Sequence, residues 1–302
     1  DGKEVTLNED FYQTLQDKAG KSVEVVVNSK PSKDGARTLK IKPISNQEWG
    51  NLEYEWNVKK ARQMVDKLSD GRLGYMHIHN MDGTSLQRFN REISDPAMQE
   101  KEALVLDIRG NGGGNTHDSL LALLSRKVYG YTQPRDGYRQ TQPEHHWTKP
   151  IVLLIDEESY SDAEIFPAGF RALGLGKIIG VPTPGYVIGT YGSALVDGTR
   201  FRLPSWGWYT NDGKNMENYG IPPDIYVENA PEEVAKGKDS QLEVAIQTLL
   251  KQLPLKSAVE SANAPKEGVG VPASANNNPN GGSSGVAPPA LRGGKRGGKN
   301  SN

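Results

Sequence analysis

Residues 151–164, IVLLIDEESYSDAE, constrain the fold of this chain more than any other stretch. The five apolar residues Ile151 to Ile155 stand between Pro150 and Asp156-Glu157-Glu158, without the polar alternation of a half-exposed strand. A run that short and that uniformly apolar is a strand buried on both faces. Beyond a polar turn, Ile165, Phe166, Phe170 and Leu173 recur at helical spacing, and Asp162 and Glu164 fall in the first turn, where carboxylates favour the helix dipole. This predicts a helix over 162–173 opened by Ser161. A doubly buried strand feeding a helix is the repeating unit of a parallel sheet covered by helices.

The unit recurs. Residues 104–115, LVLDIRGNGGGN, again carry an apolar run into a polar loop. Strands are predicted over 73–79, 103–108, 151–155 and 177–181, and helices over 86–93, 117–128 and 162–173 separate them. Such alternation gives an α/β fold, a mostly parallel sheet with right-handed crossovers flanked by helices. Both loops leave the sheet at strand carboxyl ends, on the edge where ligands bind in these folds.

Each loop has a chemical reading beside a bland one. A serine that opens a helix is, taken alone, an N-cap. The same position turns free amides and the positive end of the helix dipole toward whatever Ser161 holds, which favours an oxyanion. In the other loop, Gly112, Gly113 and Gly114 remove every Cβ, so that backbone amides can approach a ligand closely. The spacing fits neither a P-loop nor the G-x-G-x-x-G fingerprint, and no Lys-Ser/Thr pair follows.

Together LDIRGNGGGN, SYSDAE and a third stretch, MENYGIPPDI over 216–225, resemble the peptidase core shared by tricorn proteases and carboxyl-terminal processing peptidases. The resemblance covers roughly residues 73–250 and implies a crotonase/Clp-protease-like catalytic core over 73–254. It implies that Ser161 is the nucleophile of a serine endopeptidase working through an acyl-enzyme. The oxyanion hole would combine the Asp162 amide with one from the glycine loop, Gly113 being favoured over Gly114, and Glu217 would belong to the charge-relay set. Peptides or unfolded proteins are the implied substrates and homo-oligomers the implied assembly. No cofactor and no metal are expected.

Processing peptidases pair their serine with a lysine in a G-K-G-like turn beyond it. Here that region reads VPTPGYVIGT over 181–190, and the nearest lysine, Lys177, lies on the preceding strand. A serine hydroxyl is unreactive at its free pKa, so a histidine held by a carboxylate is needed instead, as in tricorn proteases. In that family the histidine lies ahead of a PDZ-like domain. Residues 1–45 resemble the second half of such a domain, with a helix over 8–18 and strands over 22–28 and 38–43, followed by a linking segment over 46–72 with its helix over 53–68. The expectation is therefore a fragment whose base lies upstream.

The five histidines of the chain offer substitutes. His77 and His79 alternate on one side of a strand and read as a structural pair. His117 follows the glycine loop, where it either lines the cleft or simply starts a helix. His145 and His146 lie in a polar loop. None has metal-ligand spacing. Trp206, Trp208 and Tyr209 either border a peptide cleft or pack on a neighbouring strand.

With 302 residues, 35% hydrophobic content and a net charge of −1, the chain can bury one substantial core plus a partial second unit, and it lacks the basic footprint of a nucleic-acid protein. Zero cysteines exclude disulfides and thiol catalysis. No apolar run is long enough to span a bilayer. A cytoplasmic compartment is the expectation and a periplasmic one the alternative, since any signal peptide would precede Asp1. A helix is predicted over 240–253, and the Gly, Pro and Asn-rich segment 255–302 lacks the apolar residues to offset ordering entropy. Two further readings compete: a catalytically inactive peptide-binding scaffold retaining the peptidase fold, and a crotonase-like acyl-CoA enzyme, in which Ser161 and the Glu217 loop would have no purpose.

Overall fold

The structure, a computed structural model, describes residues 1–6 and 8–254. The tail expected to be disordered, 255–302, lies outside the described residues. Chain entry is a single 3-10 turn, Phe11–Leu15, capped by Asp10, and an antiparallel hairpin of β1 (Val23–Val27) and β2 (Arg37–Ile41). The longer helix expected over 8–18 does not form. The turn buries none of its residues, and a short helix without a packed face does not persist in water.

Helix α1 (Asn46–Ser69) follows and starts well before the predicted 53. Its start is set by a capping box: the Ser45 hydroxyl accepts from the Glu48 amide at 3.2 Å, and the Glu48 carboxylate accepts from the Ser45 amide at 2.8 Å. The first turns present Trp49, Leu52 and Trp56 to solvent, so no buried stripe marks them in the sequence.

The core then alternates as expected: β3 (Leu73–His77), α2 (Gly83–Ile93), α3 (Pro96–Gln99), β4 (Ala103–Asp107), α4 (His117–Leu124), a hairpin of β5 (Gly130–Thr132) and β6 (Gln140–Gln142), β7 (Ile151–Ile155), α5 (Asp162–Ala172) and β8 (Gly176–Gly180). A second hairpin, β9 (Gly189–Ala194) with β10 (Arg200–Trp206), precedes β11 (Ile225–Tyr226), α6 (Pro231–Val234) and α7 (Ser240–Gln252). Five strands form one parallel sheet in the order β11-β8-β7-β4-β3. Every residue of β4 and β7 is buried, as continuous apolar runs require at the centre of a parallel sheet.

Successive side chains of each strand serve opposite layers. Leu104, Leu106, Leu153 and Ile155 pack with Phe89, Leu120, Phe166 and Phe170 beneath α2, α4 and α5. Val105, Val152 and Leu154 pack with Val58, Val65, Leu242, Ile246 and Leu249 of α1 and α7. Each such side chain, removed fully from water, contributes roughly 1.5–3 kcal/mol. The result is a three-layer body whose β4 and β7 end side by side.

Candidate active site

The loops leaving β4 and β7 are bound to each other. Buried Ser159 donates its hydroxyl to the Ile108 carbonyl at 2.9 Å, and the Tyr160 amide donates to the Asn111 carbonyl at 3.1 Å. Ser161 follows with φ 59° and ψ −122°, a conformation that a side-chain-bearing residue adopts only under constraint, at a cost of about 1–3 kcal/mol. Around it the helix start is closed by backbone and carboxylate: the Glu164 amide donates to the Ser161 carbonyl at 2.8 Å, and the Ser161 amide donates to the Glu164 carboxylate at 3.3 Å.

Facing it is the glycine loop. A Cβ on Gly113 would lie 2.7 Å from the Ser161 Cβ, 2.7 Å from the Tyr160 carbonyl and 3.0 Å from the Asp162 nitrogen, and its φ is +88°. Only glycine fits. At Gly114, φ +149°, a Cβ would meet the Met81 carbonyl at 1.9 Å, because residues 113–115 run alongside Met81, exchanging hydrogen bonds of 3.0 and 2.8 Å with it. The Gly113 amide is committed inward, donating at 2.9 Å to the side chain of fully buried Asn111, which itself donates to the Ile78 carbonyl at 2.8 Å. Among the described residues, the amides of Gly112, Gly114 and Asp162 have no partner. Asn111 was readable only as part of the motif; its inward Asx-type bond is the kind of local contact asparagine makes in turns.

The Asp162 carboxylate is buried and points away from Ser161's loop toward α4. One oxygen accepts the Thr116 and His117 amides at 2.8 and 3.1 Å, and the other is bound by His117 Nδ1. The imidazole makes a T-shaped contact with Trp208, ring centroids 5.4 Å apart.

Two further carboxylates organise the segment 183–188. Glu164, fully buried, accepts from the Thr183 hydroxyl (2.6 Å) and from the amides of Gly185 (2.7 Å) and Tyr186 (2.7 Å). Glu217, half-buried, accepts on Oε2 from the amides of Val187 (2.8 Å) and Ile188 (2.7 Å). Its Oε1 has no hydrogen-bond partner among the described residues. Between them, the Tyr186 carbonyl accepts from the Ser161 amide at 3.0 Å. The sequence placed Glu164 only in the first turn of α5; its position three residues after the helix-opening serine is that of a capping-box glutamate.

A family model, Peptidase family S41, matches residues 72–227. The chain belongs to peptidase family S41. Among curated relatives, it is 33% identical to the tricorn protease of Thermoplasma acidophilum over 84% of this chain and 23% of the relative. It is 35% identical to tricorn protease homolog 1 of Streptomyces coelicolor, over 78% of this chain and 22% of the relative. A crystal structure of the tricorn protease superposes with a TM-score of 0.70 at 33% identity, covering 83% of this chain and 24% of that one. The chain thus spans about a quarter of the length of these relatives.

The remaining sequence candidates of this S41 chain fall elsewhere. His77 bonds Tyr54 and the Arg109 carbonyl, and His79 lies against the Tyr54 ring, centroids 4.1 Å apart. His145 pairs with Ser94, and His146 bonds the Pro143 carbonyl. Lys177 is exposed on β8. Trp206 covers Gly189 on the paired strand and Tyr209 covers Gly207, whereas Trp208 packs beside Ile165, Val187, Met216 and Ile221. A concavity of about 1340 Å³ lies on the α1 and α7 side around Arg109, and neither Ser161 nor Gly112, Gly113 or Gly114 lines it. Its buried charges bind one another: Arg109 reaches Asp107 at 2.6 Å and Asp239 at 3.0 Å. Among the described residues no group of acidic and histidine side chains is arranged to hold a metal ion, and no helix is long and apolar enough to cross a membrane.

Proposed function

We propose that this chain is the catalytic portion of a tricorn-type serine endopeptidase. The observation that carries the reading is a strained serine at the mouth of α5 packed against Gly113 of the glycine loop, beside an Asp162 amide that has no partner among the described residues. Ser161 Oγ attacks the carbonyl carbon of the scissile peptide bond. The oxygen becomes an oxyanion received by the amides of Asp162 and Gly114. Of the two glycines that the resemblance offers, Gly114 takes that role, because the Gly113 amide already serves Asn111, while Gly113 provides the close approach. A histidine from a part of the protein outside this chain takes the serine proton and returns it to the leaving amine. Glu217, with Oε1 free, orients that histidine. Water then hydrolyses the acyl-enzyme by the same path in reverse. Donors prearranged for developing charge commonly supply about 10²–10³ in turnover each.

Peptides or unfolded segments are the proposed substrates, and assembly of several copies is proposed from the likeness to the tricorn protease. The resemblance of residues 1–45 to part of a PDZ-like domain remains part of this proposal. Fluorophosphonate labelling of the full-length protein tests the reading: Ser161 is modified, and Ser161→Ala abolishes both labelling and peptide hydrolysis. An unmodified Ser161 in soluble, folded full-length protein would point to the scaffold instead.

A further inference from the structure

We infer that His117 is a positioning residue for the oxyanion hole and acts through Asp162; the inference rests on Ser161 being the nucleophile. Asp162 faces two ways. Its amide, without a partner among the described residues, lies 3.0 Å from where a Cβ on Gly113 would stand, beside Ser161. Its carboxylate, 3% exposed, turns toward α4. The peptide carrying that amide is pinned from one side by α5, because the Ser161 carbonyl accepts from the Glu164 amide at 2.8 Å and the Ile165 amide at 3.3 Å. From the other side it is pinned through the carboxylate.

Two of the three bonds to that carboxylate come from backbone amides of Thr116 and His117 and fall on one oxygen, Oδ2. They are the ordinary free amides of a helix start and would accept any capping carboxylate. Only the His117 ring holds Oδ1. With Oδ1 as the acceptor, Nδ1 is the donor of that bond. Two points of attachment stop rotation of the carboxylate about its bond to Cβ, which a single oxygen does not. The ring is itself held, half-buried, in a T-shaped contact with Trp208, whose carbonyl accepts from the Met216 amide at 3.0 Å, next to Glu217. His117 thus connects the amide that receives the oxyanion to the loop that carries the orienting glutamate. Its Nε2 has no hydrogen-bond partner among the described residues and makes none to Ser161.

Two substitutions separate positioning from proton transfer. In Asn the side-chain nitrogen falls where Nδ1 stands, so His117→Asn keeps the bond to Asp162 and deletes Nε2. In Gln it falls near Nε2, so His117→Gln loses that bond. In the full-length protein, His117→Gln should lower kcat about tenfold to a hundredfold with KM little changed, and slow fluorophosphonate labelling in parallel. His117→Asn should stay within about threefold of the unmodified enzyme, the small remainder reflecting lost ring packing. Full activity in His117→Gln overturns the inference. So does a His117→Asn variant as inactive as Ser161→Ala, which would make the imidazole the base. Should His117→Gln fail to fold, the labelling rate of His117→Asn against that of His117→Ala still decides: equal rates overturn the inference. If the unmodified protein neither labels nor hydrolyses peptides, the reading of Ser161 falls first, and this inference with it.

Discussion

Ser161 and Glu217 are held by three consecutive residues of one segment: the Tyr186 carbonyl accepts from the Ser161 amide, and the amides of Val187 and Ile188 donate to Glu217 Oε2. The two side chains are 56 positions apart in the chain, yet a displacement of this segment moves both.

Glu217→Gln keeps an oxygen for the two amides and removes the charge. Melting of the variant should match that of the parent, while kcat falls at least about tenfold, as the proposed role of the carboxylate behind the base requires. Glu217→Ala leaves two half-buried amides unpartnered and should also cost about 1–3 kcal/mol in denaturant unfolding.

At Ser161 the backbone has φ 59°. Ser161→Gly removes the side chain that makes this conformation costly, and the protein should gain roughly 1 kcal/mol in denaturant unfolding. Labelling and hydrolysis should vanish in the same variant. A destabilised Ser161→Gly would show that the serine side chain holds the turn together.

Gly113→Ala places a methyl 2.7 Å from the Ser161 Cβ and at a positive φ. The glycine loop must retreat from Ser161, carrying the Gly114 amide with it. Turnover should fall about 10²-fold or more, the scale of a lost oxyanion donor or of a one-ångström misplacement. Steady-state kinetics on a fluorogenic peptide reads this directly.

Burial by itself would push the Asp107 carboxyl upward, but the Arg109 guanidinium beside it holds it below its ordinary 3.8. A carboxylate lowered on folding contributes stability that is complete above that ordinary value and is lost as pH falls through the folded one. Arg109→Met leaves a buried charge without its partner and should cost about 3–5 kcal/mol near neutral pH. The gap between variant and parent should narrow below about pH 4, where the parent too loses the pair. Thermal melts across that range are the measurement, and a constant gap would contradict the assignment.

Much of the frame was legible because it follows from local periodicity. Uniformly apolar runs at 103–108 and 151–155 can be stable only in the middle of a sheet, and that is where β4 and β7 lie. The start of α1 was not legible, because Trp49, Leu52 and Trp56 face solvent and carry no buried stripe. Ser161 and the glycines stood out by motif, but which glycine amide is free depended on Asn111, whose side chain folds back beneath the loop. Glu164 looked like an ordinary first-turn acid, though it binds Thr183, Gly185 and Tyr186, which follow a whole strand later.

The sequence by itself determined the parallel α/β core, the two loops at one sheet edge, and the residue types that an acyl-transfer site needs, since these depend on short-range pattern and on side-chain chemistry. Only the tertiary structure decided how the groups are spent: the Asp162 carboxylate on His117, Glu164 on Thr183, Gly185 and Tyr186, Glu217 Oε2 on Val187 and Ile188. Hydrogen-bond partners separated by tens of residues are selected by how strands stack and loops meet, and nearly all buried polar groups must be satisfied at once. That collective condition acts on the assembled fold and leaves no local signature in the chain.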